Sequence, residues 1–231
     1  MTISHIVLPA PHAEFCLTPW LTHDPPRLVE LMNIPSIVAG LSGNKNERIT
    51  VELAVRHIQA VLEEKERWGY PILRYTRDVE VSEEPKMLGA ISFFPFNFRA
   101  LGQRSLKLCE EEKALPPEGR HWQFSCYVDP VISSKGLVTA ATRWIIDNWF
   151  VPNHKSYPGQ LVSSWFEPNK ASQRVHDKLG FVGVARSVDW YEREKRNVDE
   201  DVICAVWQGA GECAKEDSVF RDLPSWSREE A

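Results

Sequence analysis

The chain has 231 residues, with 27 lysines and arginines against 32 aspartates and glutamates, which gives a formal charge of −5 at pH 7. Hydrophobic residues make up 43% and charged residues 26%, proportions typical of a globular protein with a substantial core. The acidic balance, without a basic stripe, argues against a nucleic-acid partner. No apolar segment approaches the ~20 residues that a membrane span needs, so no membrane partner is predicted.

The N-terminal stretch and the cysteines indicate the compartment. The stretch MTISHIVLPAPHAEF has no charged region followed by an apolar run, so it does not resemble a signal peptide. The five cysteines are scattered without CxxC or Cys/His spacing, which predicts free thiols and no metal site. We therefore expect a cytoplasmic protein, with the nucleus as a second compartment. The sequence leaves open whether it is a monomer or a homodimer.

The patterns divide the chain into an irregular leader, one domain and a largely polar tail, over residues 1–13, 14–208 and 209–231. Helices are predicted from Asp24-Pro25-Pro26 and from Thr50, where apolar residues recur at helical spacing. Strands are predicted over residues 14–21, 70–77, 86–96, 122–129, 160–166, 181–192 and 201–207. Residues 97–120 form a stretch longer than most loops, and we interpret it as an insertion loop on the substrate side.

The stretch from residue 122 carries the pattern of an anion site. Apolar and polar residues alternate over residues 122–129, as in a half-buried strand. After Pro130, the turn Ser133-Ser134-Lys135-Gly136 leads into a helix predicted over residues 137–149. The first amides of a helix have no partner inside it, and together with the helix dipole they attract an anion. Gly136 would let a ligand approach the backbone closely. The alternative is an ordinary capped helix start.

A second strand and helix repeat this arrangement. Residues 160–166 have strand character, and Glu167-Pro168 breaks the strand. Residues 169–179 then predict a helix, with Asn169 as its N-cap and Gly180 in the left-handed position after its end.

This second segment resembles the GCN5-related N-acetyltransferase (GNAT) family, and within it the branch of RimJ/RimL-type acetyltransferases. The resemblance lies in the phrase P-N-K-A-S-Q-R-V-x-x-K-L-G-F, which begins at Pro168 and ends at Phe181. The first turn matches less well. The family has Gln/Arg-x-x-Gly-x-Gly/Ala there, and this chain keeps the central Gly136 but has Ser133 and Val138 at the outer positions. The resemblance covers about residues 14–207.

The resemblance implies an α/β fold with a mixed, twisted, mostly antiparallel sheet of about seven strands, flanked by about four helices. The fourth and fifth strands of that sheet would splay apart and admit the pantetheine arm of acetyl-CoA, the implied cosubstrate. The implied cofactor-binding residues are Cys126, Tyr127, Val128, Ser133, Ser134, Lys135, Gly136, Leu137, Val138, Thr139, Asn169, Ser172 and Lys178.

The implied reaction is direct attack of a primary amine on the thioester within a ternary complex. It needs a base for the ammonium and an acid for the departing thiolate. His176 occupies the position where many family members have a tyrosine acid. It is the candidate acid here, because an imidazole can carry a proton near neutral pH. Glu167 and Asp129, which follow the two strands, and Tyr127 are the candidate bases. For the carboxylates, a role as turn former or cap is equally compatible with the sequence.

Two function hypotheses follow from these patterns. The first is an acetyl-CoA-dependent N-acetyltransferase whose acceptor is a protein N-terminus, a lysine or a small molecule. The second is a non-catalytic GNAT-fold module that binds acyl-CoA or a protein partner. A Rossmann-type enzyme is disfavoured because no G-x-G-x-x-G follows an N-terminal strand. The sequence does not identify the acceptor amine.

Overall fold

The structure, a computed structural model, describes residues 5–40, 48–63, 72–75, 86–96, 105–154, 160–187, 201–209, 211–215 and 218–227. The strands in this part of the chain are β1 (Ile6–Val7), β2 (Phe15–Thr18), β3 (Ile72–Tyr75), β4 (Met87–Pro95), β5 (Trp122–Val128), β6 (Leu161–Phe166), β7 (Phe181–Ser187) and β8 (Val202–Trp207). The helices are α1 (Asp24–Met32), α2 (Pro35–Gly40), α3 (Val51–Glu63), α4 (Ser105–Ala114), α5 (Leu137–Ile145), α6 (Val151–Asn153) and α7 (Lys170–Leu179). A π-helical turn, Ile146–Phe150, joins α5 to α6. No helix among the described residues is long and apolar enough to cross a membrane.

The strands form one mixed sheet in the order β1-β2-β3-β4-β5-β6-β8-β7. Only β5 and β6 pair in parallel among the registers that the described strands define. Strands β4 and β5 run antiparallel, because the Asp129 amide donates to the Leu88 carbonyl at one end and the Phe96 amide to the His121 carbonyl at the other, at 2.7 and 2.8 Å. The predicted α/β fold with a mostly antiparallel sheet is confirmed.

The pairing of β5 with β6 involves only the first two residues of each strand. Trp122 pairs with Leu161 and Gln123 with Val162, and no later pair joins these two described strands. By contrast, β6 pairs with β8 from Val162 to Phe166. The β5–β6 pairing therefore covers only the first two residues of each strand, and the predicted divergence of the two strands stays a prediction.

Two compact units make up the chain, and the division passes through β5. The first unit comprises Met1–Leu41, Lys45–Phe94 and Ser125–Ile146. Its core contains the apolar stripe of α3, Ala54, Ile58 and Val61, whose spacing of four and three places one helix face inward. The other buried members are Trp20, Leu28, Leu31, Ile37, Met87 and Ala90. The sequence pattern that predicted α3 therefore also identified its buried face.

A buried ion pair fixes the start of α1 in this first unit. Arg74 on β3 donates to both carboxylate oxygens of Asp24 at 2.6 Å and to the Thr18 hydroxyl at 2.7 Å. Asp24 also accepts from the Leu21 amide at 2.7 Å. Because the pair is fully buried, losing either partner would leave an uncompensated charge in the interior. This pair has a structural role.

The second unit comprises Ser42–Asn44, Pro95–Phe124 and Asp147–Ala231. Its core cluster consists of Phe96, Val162, Ala185, Cys204, Val206, Cys213 and Phe220. Phe220 belongs to the segment predicted as a polar tail, and its ring meets that of Phe96 edge to face with centroids 5.6 Å apart. The Arg186 amide donates to the Pro224 carbonyl at 2.8 Å, and Ser225 forms a bridge with Ala185. The end of the chain therefore lines the outer edge of β7. The domain boundaries themselves stay a prediction.

Two segments differ from their predicted form. The predicted insertion loop, residues 97–120, contains helix α4, of which Leu108 and Cys109 pack against the second unit's core. In α4 a run of four charged residues directly follows these two. The sequence therefore shows no apolar stripe at helical spacing. The predicted irregular leader contains β1, in which Ile6 pairs with Leu17 of β2. A two-residue strand is too short to leave a periodic pattern. The links between predicted strands over residues 78–84 and 193–200 lie outside the described residues.

Candidate active site

The end of β5 lies close against β4 in the first unit. A Cβ built on Gly89 of β4 would stand 2.4 Å from the Tyr127 carbonyl oxygen and 2.9 Å from the Val128 Cα, closer than side-chain atoms are found. Only a glycine allows this approach of the two backbones. Cys126, Tyr127 and Val128, the predicted pantetheine-binding residues, are half-buried here. Their placement therefore depends on a residue that sequence reasoning did not single out.

A short turn connects β5 to α5. The Asp129 side chain accepts from the Val131 amide at 3.0 Å and so begins the 3₁₀ turn Pro130–Ile132. The Ser133 hydroxyl then donates to the Pro130 carbonyl at 2.9 Å. Hydrogen bonds between side chains and backbone inside the turn thus determine where the chain leaves β5 and where α5 begins.

The turn before α5 is exposed, and the N-cap residue of this helix is a glycine. Ser134 and Gly136 both have left-handed φ angles, 64° and 77°. Gly136, the N-cap residue, has no side chain that could accept a hydrogen bond from the helix amides. All four residues of the predicted phosphate turn, Ser133, Ser134, Lys135 and Gly136, are exposed. The first amides of α5, on Leu137, Val138 and Thr139, therefore lie at an open helix start that suits an anion.

His12 also lies at this turn. A Cβ placed on Gly136 would find the His12 Nε2 as its nearest heavy atom, at 3.9 Å. Two backbone bonds hold His12 in a tight turn, from its amide to the Pro9 carbonyl and from the Phe15 amide to its own carbonyl. No sequence pattern predicted this neighbour, because His12 belongs to the predicted leader and lies far from Gly136 along the chain.

The side chain of Asn169 caps the start of helix α7. Asn169 accepts from the Ser172 amide through its side-chain oxygen at 3.0 Å, as an N-cap does. Gly180 ends the helix with a left-handed φ of 88°. Lys178 is exposed on the last turn, where a cation complements the helix dipole. The second unit therefore brings together Asn169 and Ser172, and Lys178 lies at the opposite end of the helix.

His176, the predicted acid, lies in the interior of the second unit and is 3% exposed. Its Nδ1 is 2.8 Å from the Ser172 carbonyl, which can only accept, so this nitrogen carries the proton. Its Nε2 lies 2.7 Å from the Ser163 hydroxyl and accepts from it. Burial lowers the pKa of His176 to about 4, against the opposing effects of the Ser172 carbonyl and of Asp177. The imidazole is therefore neutral near pH 7 and bonded on both nitrogens.

Aromatic rings enclose the same imidazole. The ring centroids of Trp165 and Phe124 lie 4.8 and 5.0 Å from that of His176, and Phe181 meets it edge to face at 5.4 Å. These rings remove water from His176, which is the physical cause of its lowered pKa. Ser163 was missed in the sequence. Its alternation with Leu161 and Trp165 on β6 places these three on one face of the strand.

The two predicted carboxylate bases are both held by arginines. Asp129 accepts from the Arg27 guanidinium through one oxygen and from the Val131 amide through the other. Glu167 accepts from Arg186 at 2.8 Å, and the same guanidinium lies 3.3 Å from Asp201. Each carboxylate therefore has a structural partner. A structural role was one of the two roles that the sequence allowed, the other being catalysis.

Cysteine chemistry does not fit the residues near the site. Cys126 is half-buried as a residue, and burial of its thiol raises the pKa to about 12. A thiol with such a pKa is protonated near neutral pH and is a poor nucleophile. Within the described ranges, no group of three or more His, Cys, Asp or Glu side chains is placed to hold a metal ion.

Comparisons with known proteins agree with this fold. A family model described as an acetyltransferase (GNAT) domain matches residues 14–182, well over half of the chain. No curated protein matches the chain. Among solved structures, it is similar to RimL, a ribosomal L7/L12 alpha-N-protein acetyltransferase, with a TM-score of 0.58 at 13% identity, covering 89% of this chain and 94% of that one.

Two further structures are complexes. AAC(6')-Ib in complex with ribostamycin and coenzyme A has a TM-score of 0.55 at 17% identity, over 84% of this chain and 93% of that one. The microcin C7 self-immunity acetyltransferase MccE in complex with acetyl-CoA and AMP has a TM-score of 0.57 at 13% identity, over 84% and 92%. At such identities these similarities show a common fold, and the family match goes further. The chain belongs to the GNAT acetyltransferase family.

Proposed function

We propose that this protein is an acetyl-CoA-dependent N-acetyltransferase that acts on a primary amine. One observation carries the proposal: a short turn joins β5 to α5, its residues 133–136 are exposed, and the N-cap residue Gly136 has no side chain to cap the helix. A helix start of this kind favours a diphosphate, because its amides and its dipole both attract negative charge. The membership of the chain in the GNAT family supports the same ligand.

The residues of the first unit fit the phosphate end and the arm of acetyl-CoA. The amides at the start of α5 would hold the diphosphate, with charge added by Lys135 and with the His12 imidazole beside the turn. The β5–β6 ladder ends at Gln123, so the backbone of residues 126–128 would pair with the pantetheine amides as an added strand does. In the second unit, Asn169, Ser172 and Lys178 are the proposed contacts from α7, on the basis of the family motif.

Acetyl-CoA would supply an activated acetyl group as a thioester, which the neutral amine attacks directly. An amide near the end of β5 would donate to the thioester oxygen as negative charge develops there. For proton transfer we assign Tyr127 as the first residue to test, because it lies among the proposed pantetheine-binding residues at the end of β5. His176, Glu167 and Asp129 are the alternatives; His176 is bonded to a serine, and each carboxylate is bonded to an arginine.

The acceptor class follows from the branch that the second segment resembles. We propose a RimJ/RimL-type enzyme, on the evidence of Pro168, Asn169 and the motif that ends at Phe181. The similarity to RimL supports an α-amino group of a protein as the first acceptor to test, and the similarity to AAC(6')-Ib supports an aminoglycoside. A lysine peptide and a polyamine complete the panel.

The test combines binding with turnover. Isothermal titration should detect binding of CoA and of acetyl-CoA, and a thiol assay should detect CoA release with at least one amine of the panel. Tyr127→Phe should keep the affinity for acetyl-CoA and lower kcat by at least ~10-fold, the size typical of a general acid–base contribution. Absence of both binding and turnover in the unmodified protein would refute the proposal.

A second function is favoured by one specific observation. The carboxylates of Asp129 and Glu167 are paired with arginines, and burial lowers the pKa of His176 to about 4. Such a protein could bind acyl-CoA without transferring the acyl group. Tight binding of acetyl-CoA without CoA release across the whole amine panel would favour this non-catalytic module over the enzyme.

A further inference from the structure

The strongest contact around the proposed phosphate turn comes from α1. Arg27, near the middle of this helix, donates through Nη2 to Asp129 and through Nε to the Met87 carbonyl at 3.0 Å. It therefore touches the start of β4 and the residue that follows β5. Both side chains of the pair are largely buried, at 17% and 13% exposed. A charged pair with this little exposure is screened far less than a surface pair.

Asp129 transmits this contact to the turn. Its amide donates to the Leu88 carbonyl at 2.7 Å, which holds it in the sheet. The carboxylate oxygen that does not face Arg27 accepts from the Val131 amide, and the Asp129 carbonyl accepts from Ile132 at 3.0 Å. Residues 130–132 are thereby wound into the 3₁₀ turn that ends immediately before Ser133. Asp129 is the last residue held in the sheet and the first that shapes the turn.

We propose that the Arg27–Asp129 pair is a positioning pair for cofactor binding: it holds the turn before α5 in the form that receives the CoA diphosphate, and it takes no part in proton transfer. This inference rests on the proposed function. It gives Asp129 a role different from that of a base, because both of its oxygens are used to shape the chain.

The test compares three variants by titration calorimetry with CoA and with pantetheine, which lacks the diphosphate. Asp129→Asn can still cap the Val131 amide through its side-chain oxygen but loses the charge that pairs with Arg27. We expect the Kd for CoA to rise about tenfold, whereas the Kd for pantetheine changes less than about twofold. Arg27→Lys keeps the charge and loses the planar fork, so a rise of about threefold is expected.

Glu30→Gln is the matched control. Glu30 accepts from the Nη1 of the same arginine at 2.6 Å but is 64% exposed, so its loss leaves the Asp129 contact in place. The Kd for CoA should stay within about twofold of the unmodified protein. Urea unfolding of each variant should verify that the fold is kept, and Arg27→Lys provides the milder test if Asp129→Asn is unstable.

The outcomes separate the inference from the function on which it rests. An unchanged Kd for CoA in Asp129→Asn, or an equal loss for CoA and pantetheine, would overturn the positioning role while leaving the enzyme in place. An unchanged Kd together with loss of kcat would assign Asp129 as the base instead. Failure of the unmodified protein to bind CoA would overturn the proposed function, and this inference with it.

Discussion

Two helices of this protein follow a strand and a short turn, yet they begin in opposite ways. At α7, Asn169 caps the Ser172 amide, and four residues later His176 is bonded on both ring nitrogens. At α5, the N-cap residue is Gly136, with no side-chain cap, and the turn before it is exposed. One helix start uses its polar groups internally, and the other presents them to solvent. A family motif covers both helix starts, but only the start of α5 has the physical character of an anion site.

The difference affects how the two motif matches are weighed: we propose that the weaker match, before α5, is the anion site. The motif around α7 is the more specific of the two, and much of it describes how a helix is capped and packed. The turn before α5 matches less well, and its open amides do not depend on the side chains that differ. Backbone groups can therefore keep a binding role where the outer motif residues have changed.

The largest expected effect is the pH dependence of stability that the buried His176 on α7 causes. In the unfolded chain the pKa of His176 is near the ordinary histidine value of 6.5, and folding lowers this pKa to about 4. Between these values the unfolded state binds more protons, so stability falls as the pH is lowered. The loss should approach about 3 kcal/mol below pH 4. Urea unfolding between pH 7 and 4 should show this loss relative to His176→Gln, and a pH-independent difference would contradict the buried neutral imidazole.

The next effect compares two glycines with left-handed backbone, Gly136 before α5 and Gly180 after α7. Replacing either with alanine should cost about 1–2 kcal/mol, because a Cβ disfavours this conformation. Only Gly136→Ala should also raise the Kd for CoA, by about tenfold, since the turn would leave the form that presents its amides. Calorimetry and urea unfolding measure the two quantities separately. An equal loss of CoA affinity in both variants would remove the distinction between the helix starts.

A smaller effect concerns the cap itself. Asn169→Ala should lower the free energy of unfolding by about 1 kcal/mol, whereas Asn169→Asp should keep the cap and most of the stability. Ser133→Ala, before the other helix, should cost less than about 0.5 kcal/mol, since its exposed hydroxyl donates to Pro130 instead of accepting from a helix amide. Similar losses for Asn169→Ala and Ser133→Ala would mean that both helices are capped.

The smallest expected effect is electrostatic. Lys135 and Lys170 are exposed lysines near the starts of α5 and α7. Lys135→Ala should raise the Kd for CoA about threefold at low salt, and the difference should shrink as salt screens the charge. Lys170→Ala should leave the Kd unchanged. A salt-dependent effect of equal size at both positions would indicate general attraction of the anion and no specific turn.

Local signals predicted much of this fold. Alternation identified β5 and β6, and apolar spacing together with Asn169 and Gly180 identified α7 close to its observed bounds. These signals lie within a few residues of the feature they describe. The glycine at position 136 was predicted as a turn residue for the same reason, and its left-handed φ agrees.

The partners of the predicted site residues could not be found in this way. Asp129 and Glu167 were chosen because each follows a strand, a signal that contains nothing about Arg27 or Arg186. Arg27 lies 102 residues before Asp129, and no periodicity connects them. His176 was chosen by its place in a motif, whereas its protonation is determined by aromatic rings from other strands. The sequence identified chemical groups, and the fold determined their charge and their neighbours.

The position of Phe220 has a consequence for how the polypeptide matures. Residues 218–225 follow β7 in the chain, so the outer edge of β7 stays uncovered until they have been synthesised, and Phe220 fills its place in the core only then. Shortening the gene ahead of this phenylalanine would remove a core side chain along with the covering segment.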